Sequence, residues 1–560
     1  MKVLQSFFLL IIISSFFSFQ GCQNNKPTPN PELLNIDLLR GDIILCSGKK
    51  FGEVSFSLAC KNSVRETFDL ALSLLHSFEY GEAEKAFVQV IDADPECAMA
   101  YWGVAMSIYH ALWSAPKNQE LEKGSKLVNI AQSLSKSPKE EMYINAIHSF
   151  YEDWKNLDHK TRALKYEKQM ESIYKNSKED TEAAIFYALA LNSTADPSDD
   201  NYTNQRKAGK ILESLSAEQP NHPGIAHYII HNYDNPVLAP KALSTARRYA
   251  EIAPASSHAQ HMPSHIFTRL GLWEESIQSN LNSASSAQCY VESAGLKGYW
   301  FQEVHAIDYL VYAYLQKGDN SKANEQYQYV KTMQEVNPAG IWAVAYPFAA
   351  IPARMALENR NWSEAAQLNL HSSEIQWEKF PWQKAILHFG RALGAAHNND
   401  FNAAEEEITI LKKLRQDLID INDSYKANQV MIQIKAAQAW MKFENDEPEE
   451  GLALMKEASE MENNTSKHPV TPGEILPADE LLGDMLLAMN KSSEALEAYE
   501  KNLQVHPNRF NGIYGAAIAA KESGAEKKAT MYFENLIRLT EGTESQRPEL
   551  QEANEFLKKI

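Results

Sequence analysis

The stretch Leu482 to Pro507, LGDMLLAMNKSSEALEAYEKNLQVHP, decides the fold. Leu482-Gly483, Ala495 and Tyr499 set a packing pair, a small residue and an aromatic at fixed offsets before the closing proline. The offsets recur down the chain. Ala495 and Ala529 are 34 residues apart, as are Tyr499 and Phe533, and Pro220 and Pro254. In the unit that ends at Asp94-Pro95, Tyr80, Ala83 and Phe87 occupy the same positions. A turn repeats too, as Gly271-Leu272-Trp273-Glu274-Glu275, Gly318-Asp319-Asn320-Ser321-Lys322-Ala323, Asn361-Trp362-Ser363-Glu364-Ala365 and Asp400-Phe401-Asn402-Ala403-Ala404. Self-similarity at a fixed period of this length marks a repeat architecture.

The period and the residues that carry it resemble tetratricopeptide (TPR) repeats, from about residue 62 to 540, with irregular spacers near 115–180, 285–300 and 410–475. The resemblance implies an all-α, right-handed superhelical solenoid of antiparallel helix pairs. Small residues such as Ala83 and Ala495 let two helices approach, and the aromatics fill the space beside them. One pair cannot bury its apolar face alone, so neighbours stack into a continuous core. Most of the ten tryptophans are therefore core. The expected segments are a signal peptide (1–21), a lipidated N-terminus with a polar tether (22–60), N-terminal repeats (61–215), a central histidine-rich block (216–345) and C-terminal repeats (346–560).

The N-terminus reads as an export signal. Lys2 precedes an apolar run from Phe7 to Phe19 and then Gln20-Gly21-Cys22, too short and wrongly flanked to span a bilayer. A Gly-Cys junction after such a run resembles the bacterial lipobox, which implies diacylglycerol and palmitate on Cys22 and a protein held at a membrane surface; secretion without lipid is the alternative. The Pro-rich run Lys26-Pro27-Thr28-Pro29-Asn30-Pro31 reads as a tether, and Asp42 to Phe56 has β-like patches expected to lie against the first repeat. Export admits disulfides among Cys46, Cys60, Cys97 and Cys289. Three pairings are open, and a Cys60–Cys97 bridge stapling the entry segment to the first repeat is the one expected. The net charge of −19, with no dense Lys/Arg run, speaks against nucleic acid.

One constellation points to chemistry. His227 and His231 lie 7 and 11 residues after Pro220, and His261 and His265 lie 7 and 11 after Pro254. Residues four apart share one face of a helix, and the TPR resemblance implies that this face lines the concave groove. His258 and His305 fall in a neighbouring slot of their units, Asp308 beside them and Arg354 one unit further on. Three readings stand. The imidazoles of His227, His231, His258, His261 and His265 suit a transition metal, Zn, Cu or Fe. Alternatively Arg354 and partly protonated histidines clamp an acidic ligand, with Arg354, Asp308 and His305 as the expected ligand-binding residues. Third, the rings tie helices together. His227-Tyr228-Ile229-Ile230-His231 lacks the glutamate that zinc proteases place after the first histidine. Pro263 should also break its helix and displace His258 and His261. His76, His110 and His388 are expected to be structural.

The segment His227 to Trp273 and the block His76-Ser77-Phe78 through Cys97-Ala98-Met99-Ala100-Tyr101-Trp102-Gly103 resemble a group of bacterial TPR proteins. That resemblance implies the fold and no settled activity. The expected function is a scaffold at the periplasmic face of the outer membrane. It would recognise a protein, peptide or glycan-related ligand in its groove; glycan-uptake machinery is an expected context, because these lipobox flanks suit bacteria whose lipoproteins often serve polysaccharide uptake. A metal-dependent enzyme built on the histidines is the alternative, and an assembly factor without a small ligand is a third.

Overall fold

The computed structural model describes residues 30–44, 46, 50–112, 115–371 and 375–559. The expected signal peptide and Cys22 lie outside these residues. The described chain is an all-α TPR-type superhelical solenoid of stacked antiparallel helix pairs. Arg65–His76 packs on Tyr80–Ala93, Pro223–Tyr233 on Ala239–Ile252, Phe301–Gln316 on Asn320–Lys331, and so on to Phe510–Glu522 on Glu526–Leu539. The strands among the described residues are two-residue pieces, Tyr299–Trp300 and Val336–Asn337, paired in parallel.

The repeat positions do what their size dictates. Tyr499 is wholly buried between Gly483 and Gly515, where an added Cβ would stand 2.7 and 2.3 Å from its ring. Side chains at either position would force the helices apart, and overpacking of this kind destabilises a core. Asp319, Asp400 and Asp423 cap their helices by accepting from the backbone N–H three residues on, which explains why the recurrent turn carries aspartate.

The entry segment is more than a tether. It forms no strand among the described residues, but its backbone N–H groups donate to carboxylates of the first repeats, Leu39 to Glu84, Ile44 to Glu82 and Ala59 to Glu140. Phe56 is buried against Phe68, Trp102 and Tyr143. Cys60 and Cys97 are bonded, with Cα atoms 4.9 Å apart, and Cys46 is bonded to Cys289 across 243 residues of sequence.

The superhelix closes on itself. Trp273 Nε1 donates to the Asn508 carbonyl at 2.6 Å, and Asn508 donates to the Gly271 carbonyl at 3.2 Å. Gly271 has φ +63°, and a Cβ there would lie 2.3 Å from the Pro507 carbonyl oxygen. Next to this seam Arg509, wholly buried, donates to Glu480 (2.9 Å), Glu358 (2.9 Å) and the Tyr312 hydroxyl (3.1 Å). Its guanidinium joins three helices distant in sequence. Arg509→Ala leaves two buried carboxylates unpaired, and breaking a buried pair in this way costs about 3–5 kcal/mol. Denaturant unfolding should show that loss; a change below about 1 kcal/mol would mean the network does not hold the closure.

Two large apolar clusters, one running from Ile36 to Phe267 and the other from Trp273 to Ala529, and a small one from Phe510 to Ala553 make up the core. The two large clusters meet at residues 268–272, and the histidine-rich units sit at this boundary. Sites favour such junctions between packed units.

Candidate metal centre

Four short helical elements bring six histidines together. Pro223 starts the first helix at a position where its missing N–H costs nothing. That helix presents His227 and His231 on one face. The next unit is broken where the sequence predicts, into Ser257–His261 and Pro263–Arg269. The break does not disperse the histidines. It aims His258 back at the preceding unit and leaves His261 beside His265. His305 comes from the helix Phe301–Gln316.

The result is two triads, each of three imidazoles whose candidate ligand atoms lie within 4.8 Å of one another: His227, His231 and His258, then His261, His265 and His305. In the first, His227 Nε2 is 3.0 Å from His258 Nε2 and 3.1 Å from His231 Nε2. In the second, His261 Nε2 and His265 Nε2 are 3.1 Å apart, and the His261 and His305 ring centroids are 4.4 Å apart. His227, His258, His261 and His265 are buried, and His231 and His305 are partly exposed.

The opposite ring nitrogens fix which lone pairs face the centre of each group. His227 Nδ1 donates to the His76 carbonyl at 2.6 Å, and His265 Nδ1 donates to Asp234 Oδ2 at 2.9 Å. Asn280 uses its amide N–H on the Ser276 carbonyl, so its oxygen accepts from His261 Nδ1 at 2.7 Å. A neutral imidazole has one N–H. With it committed at Nδ1, each Nε2 is a bare lone pair. His261 and His265 therefore aim two lone pairs at each other across 3.1 Å, and His227 aims one lone pair at two neighbours. A metal ion shared by His261 and His265 would resolve their opposition, whereas in the first triad an N–H on His258 or His231 Nε2 also satisfies His227. At metal–nitrogen bonds of about 2.0–2.1 Å, separations of this size correspond to N–metal–N angles of roughly 95°, within reach of three-coordinate or distorted tetrahedral geometry. A carbonyl or carboxylate behind each ring is also the usual way a protein fixes the tautomer and orientation of a ligating histidine.

The electrostatics keep the rings neutral. Burial drives His227 down to about 3. Burial together with repulsion from its neighbours holds His231, His258 and His261 well below the usual range. His305 is brought to about 3 by burial and by His265. Burial also lowers His265, against the opposing pull of Asp234. Asp234 is a buried carboxylate held ionised; burial opposes this, but Lys467, Arg269 and His265 outweigh it. Neutral imidazole is the form a metal requires.

The structure places other expected site residues differently. Asp308 and Arg354 are wholly buried and form an ion pair with each other; Arg354 also donates to the Tyr346 hydroxyl and the Gly473 carbonyl. The guanidinium expected to clamp an acidic ligand is thus engaged internally, and His305 joins the second triad instead of that clamp. Several contributors carry no signal in the sequence pattern. Asp234, Asn280 and Arg269 act behind the rings. Residues 464–477 cross from a distant repeat to the same place, where the Tyr309 hydroxyl donates to the Val470 carbonyl at 3.1 Å and Lys467 Nζ donates to the Thr471 carbonyl at 2.5 Å. A third buried group, His76, Glu182 and His222, has each imidazole on its own carboxylate oxygen at 2.9 Å. Glu182 thus ties His76 and His222 together.

Asp234→Asn tests the supporting shell. Loss of such a partner costs about 10–100-fold in metal affinity, which competition against a chelator would measure; unchanged affinity would remove Asp234 from the centre.

No protein-family model matches the chain, and no curated protein sequence matches it. Solved structures do. The human IFIT1 dimer with PPP-AAAA is 12% identical, with 84% of this chain and 89% of that chain covered and a TM-score of 0.35. Yeast Tom70 is 12% identical, with 89% and 96% covered and a TM-score of 0.35. The Naa15/Naa10 complex bound to HypK-THB is 10% identical, with 88% and 90% covered and a TM-score of 0.24. None is close enough to bear on the histidines.

Proposed function

We propose that this chain is a membrane-tethered TPR protein that binds two transition-metal ions, one in each histidine triad. The observation that carries the reading is the pair of lone-pair nitrogens of His261 and His265 facing each other at 3.1 Å. Three imidazoles per ion leave a coordination position open, the pattern of reactive metal sites as opposed to closed structural ones. The ion would polarise or exchange a ligand at that position. The chain's own residues fix the rings through the His76 carbonyl, Asp234 and Asn280.

The metal reading is preferred to a peptide- or glycan-filled groove at this point because residues 464–477 already occupy the space beside the second triad. A protein or glycan partner from an uptake system remains the second reading, favoured by a cavity of about 820 Å³ elsewhere, lined by Tyr327, Phe348, Pro352 and Leu368. Stable co-purification of such a partner with metal-free protein would support it.

Elemental analysis of the purified chain after equilibration with copper, zinc or iron tests the proposal. About two ions per chain are expected, and protein that stays metal-free would end it. We further place the chain at the periplasmic face of the outer membrane through lipid on Cys22. Cys22→Ser should move the protein from the membrane fraction to the aqueous one, and a mutant that still sediments with membranes would argue against the anchor.

A further inference from the structure

The two triads are near neighbours. The rings of His231 and His265, one from each triad, have centroids 6.4 Å apart, close to the 6.3 Å between His231 and His258 within the first. Two ions held here belong to one site.

The charge of that site selects among metals. All six donors are neutral nitrogens. The carboxylates nearest the rings are paired with cations or pushed toward neutrality: Asp234 lies on Arg269 and His265, Asp308 on Arg354, and burial raises Glu79 to about 7. The protein therefore supplies no net negative charge to offset the metals. Burying charge in a low-dielectric interior is costly unless it is compensated, and the cost grows with the square of the charge on each ion. Two divalent ions would bring +4 into this pocket, whereas two monovalent ions bring +2. Copper is the imidazole-binding metal with a stable monovalent state.

On this footing, which rests on the two-ion reading above, we propose that the triads hold a pair of Cu(I) ions that takes up one dioxygen molecule between them. Each Cu(I) gives up one electron, so two Cu(I) become two Cu(II) and O₂ becomes a peroxide dianion bound to both. No proton or outside reductant enters. The charge inside the pocket is +2 before uptake and +2 after it, since the dianion offsets the rise from +2 to +4 on the metals. The uncompensated pocket thus tolerates the oxidised pair only with the bridging anion in place, and release of O₂ restores the cuprous pair. The partly exposed edges of His231 and His305 are the side from which a small ligand reaches the centre.

The test loads the full chain anaerobically with two Cu(I) per molecule, admits air-saturated buffer, and reads oxygen consumption alongside the Cu(II) electron-spin signal. One O₂ consumed per two coppers is expected, with the signal nearly absent because the two spins pair through the shared ligand. His305→Ala should retain one copper, lose the uptake and show an ordinary single-ion Cu(II) signal after oxidation. Two coppers bound with no uptake, or with a full-intensity signal from isolated ions, would overturn the pair and leave the metal-binding reading standing. Uptake undiminished in His305→Ala would also overturn it. A chain that holds zinc or iron but no copper would overturn the copper pair alone, and one that holds none of these metals would overturn both.

Discussion

The double substitution His231→Ala/His265→Ala is expected to take the chain from about two bound metal ions to none. It removes one imidazole from each triad and leaves two apiece. A hydrogen-bond partner behind a ligating ring is alone worth about 10–100-fold in affinity, so loss of a ligand itself should exceed that in each triad. The fold should survive. His231 is partly exposed, and neither ring is the cornerstone of an ion-pair network comparable to that of Arg509. Metal content measured together with the circular-dichroism spectrum distinguishes the outcomes. Helical protein without metal is the expected result, and helical protein that keeps two ions would place the metals elsewhere.

The second large effect is on acid stability. A histidine forced neutral in the folded state, such as His227 or His305 at about 3, ionises near 6.5 once the chain unfolds. Between those values the unfolded chain binds protons that the folded metal-free protein refuses. Stability is therefore fully present above about pH 6.5 and falls as the pH is lowered through that window, by up to about 1.4 kcal/mol per pH unit for each such ring. Several rings act together, so the metal-free protein should lose its cooperative fold on mild acidification. Bound metal stabilises the folded state by mass action and should shift the loss to lower pH. Melting temperatures recorded from pH 7.5 to 4.5, with and without metal, test this. A flat profile for the metal-free chain would mean these rings are hydrated or already protonated.

How much of this was legible beforehand follows from the range of the interactions. The helix pairs are local, so Ala495, Tyr499 and their counterparts one period on reveal them. The i,i+4 pairs His227/His231 and His261/His265 are local as well, and their equivalent slots show that they share a face. Division into two triads is not local. It depends on the break at Pro263, which the sequence reveals, and on which unit each half then faces, which it does not. The same holds for Asp234 behind His265 and for residues 464–477 beside Tyr309. Both are brought in by superhelical closure through Trp273 and Asn508, a contact spanning 235 residues. Arg354 and Asp308 illustrate the opposite error. Their slots are groove slots by register, yet their opposite charges and 46-residue separation make them partners for each other.

The most direct test of the central claim is anomalous diffraction from crystals of the metal-equilibrated chain, recorded across the metal's absorption edge. Two peaks are predicted, one within bonding distance of the His227, His231 and His258 nitrogens and one within bonding distance of those of His261, His265 and His305. Peaks confined to surface carboxylates, with the six imidazoles holding only protons or water between them, would contradict it.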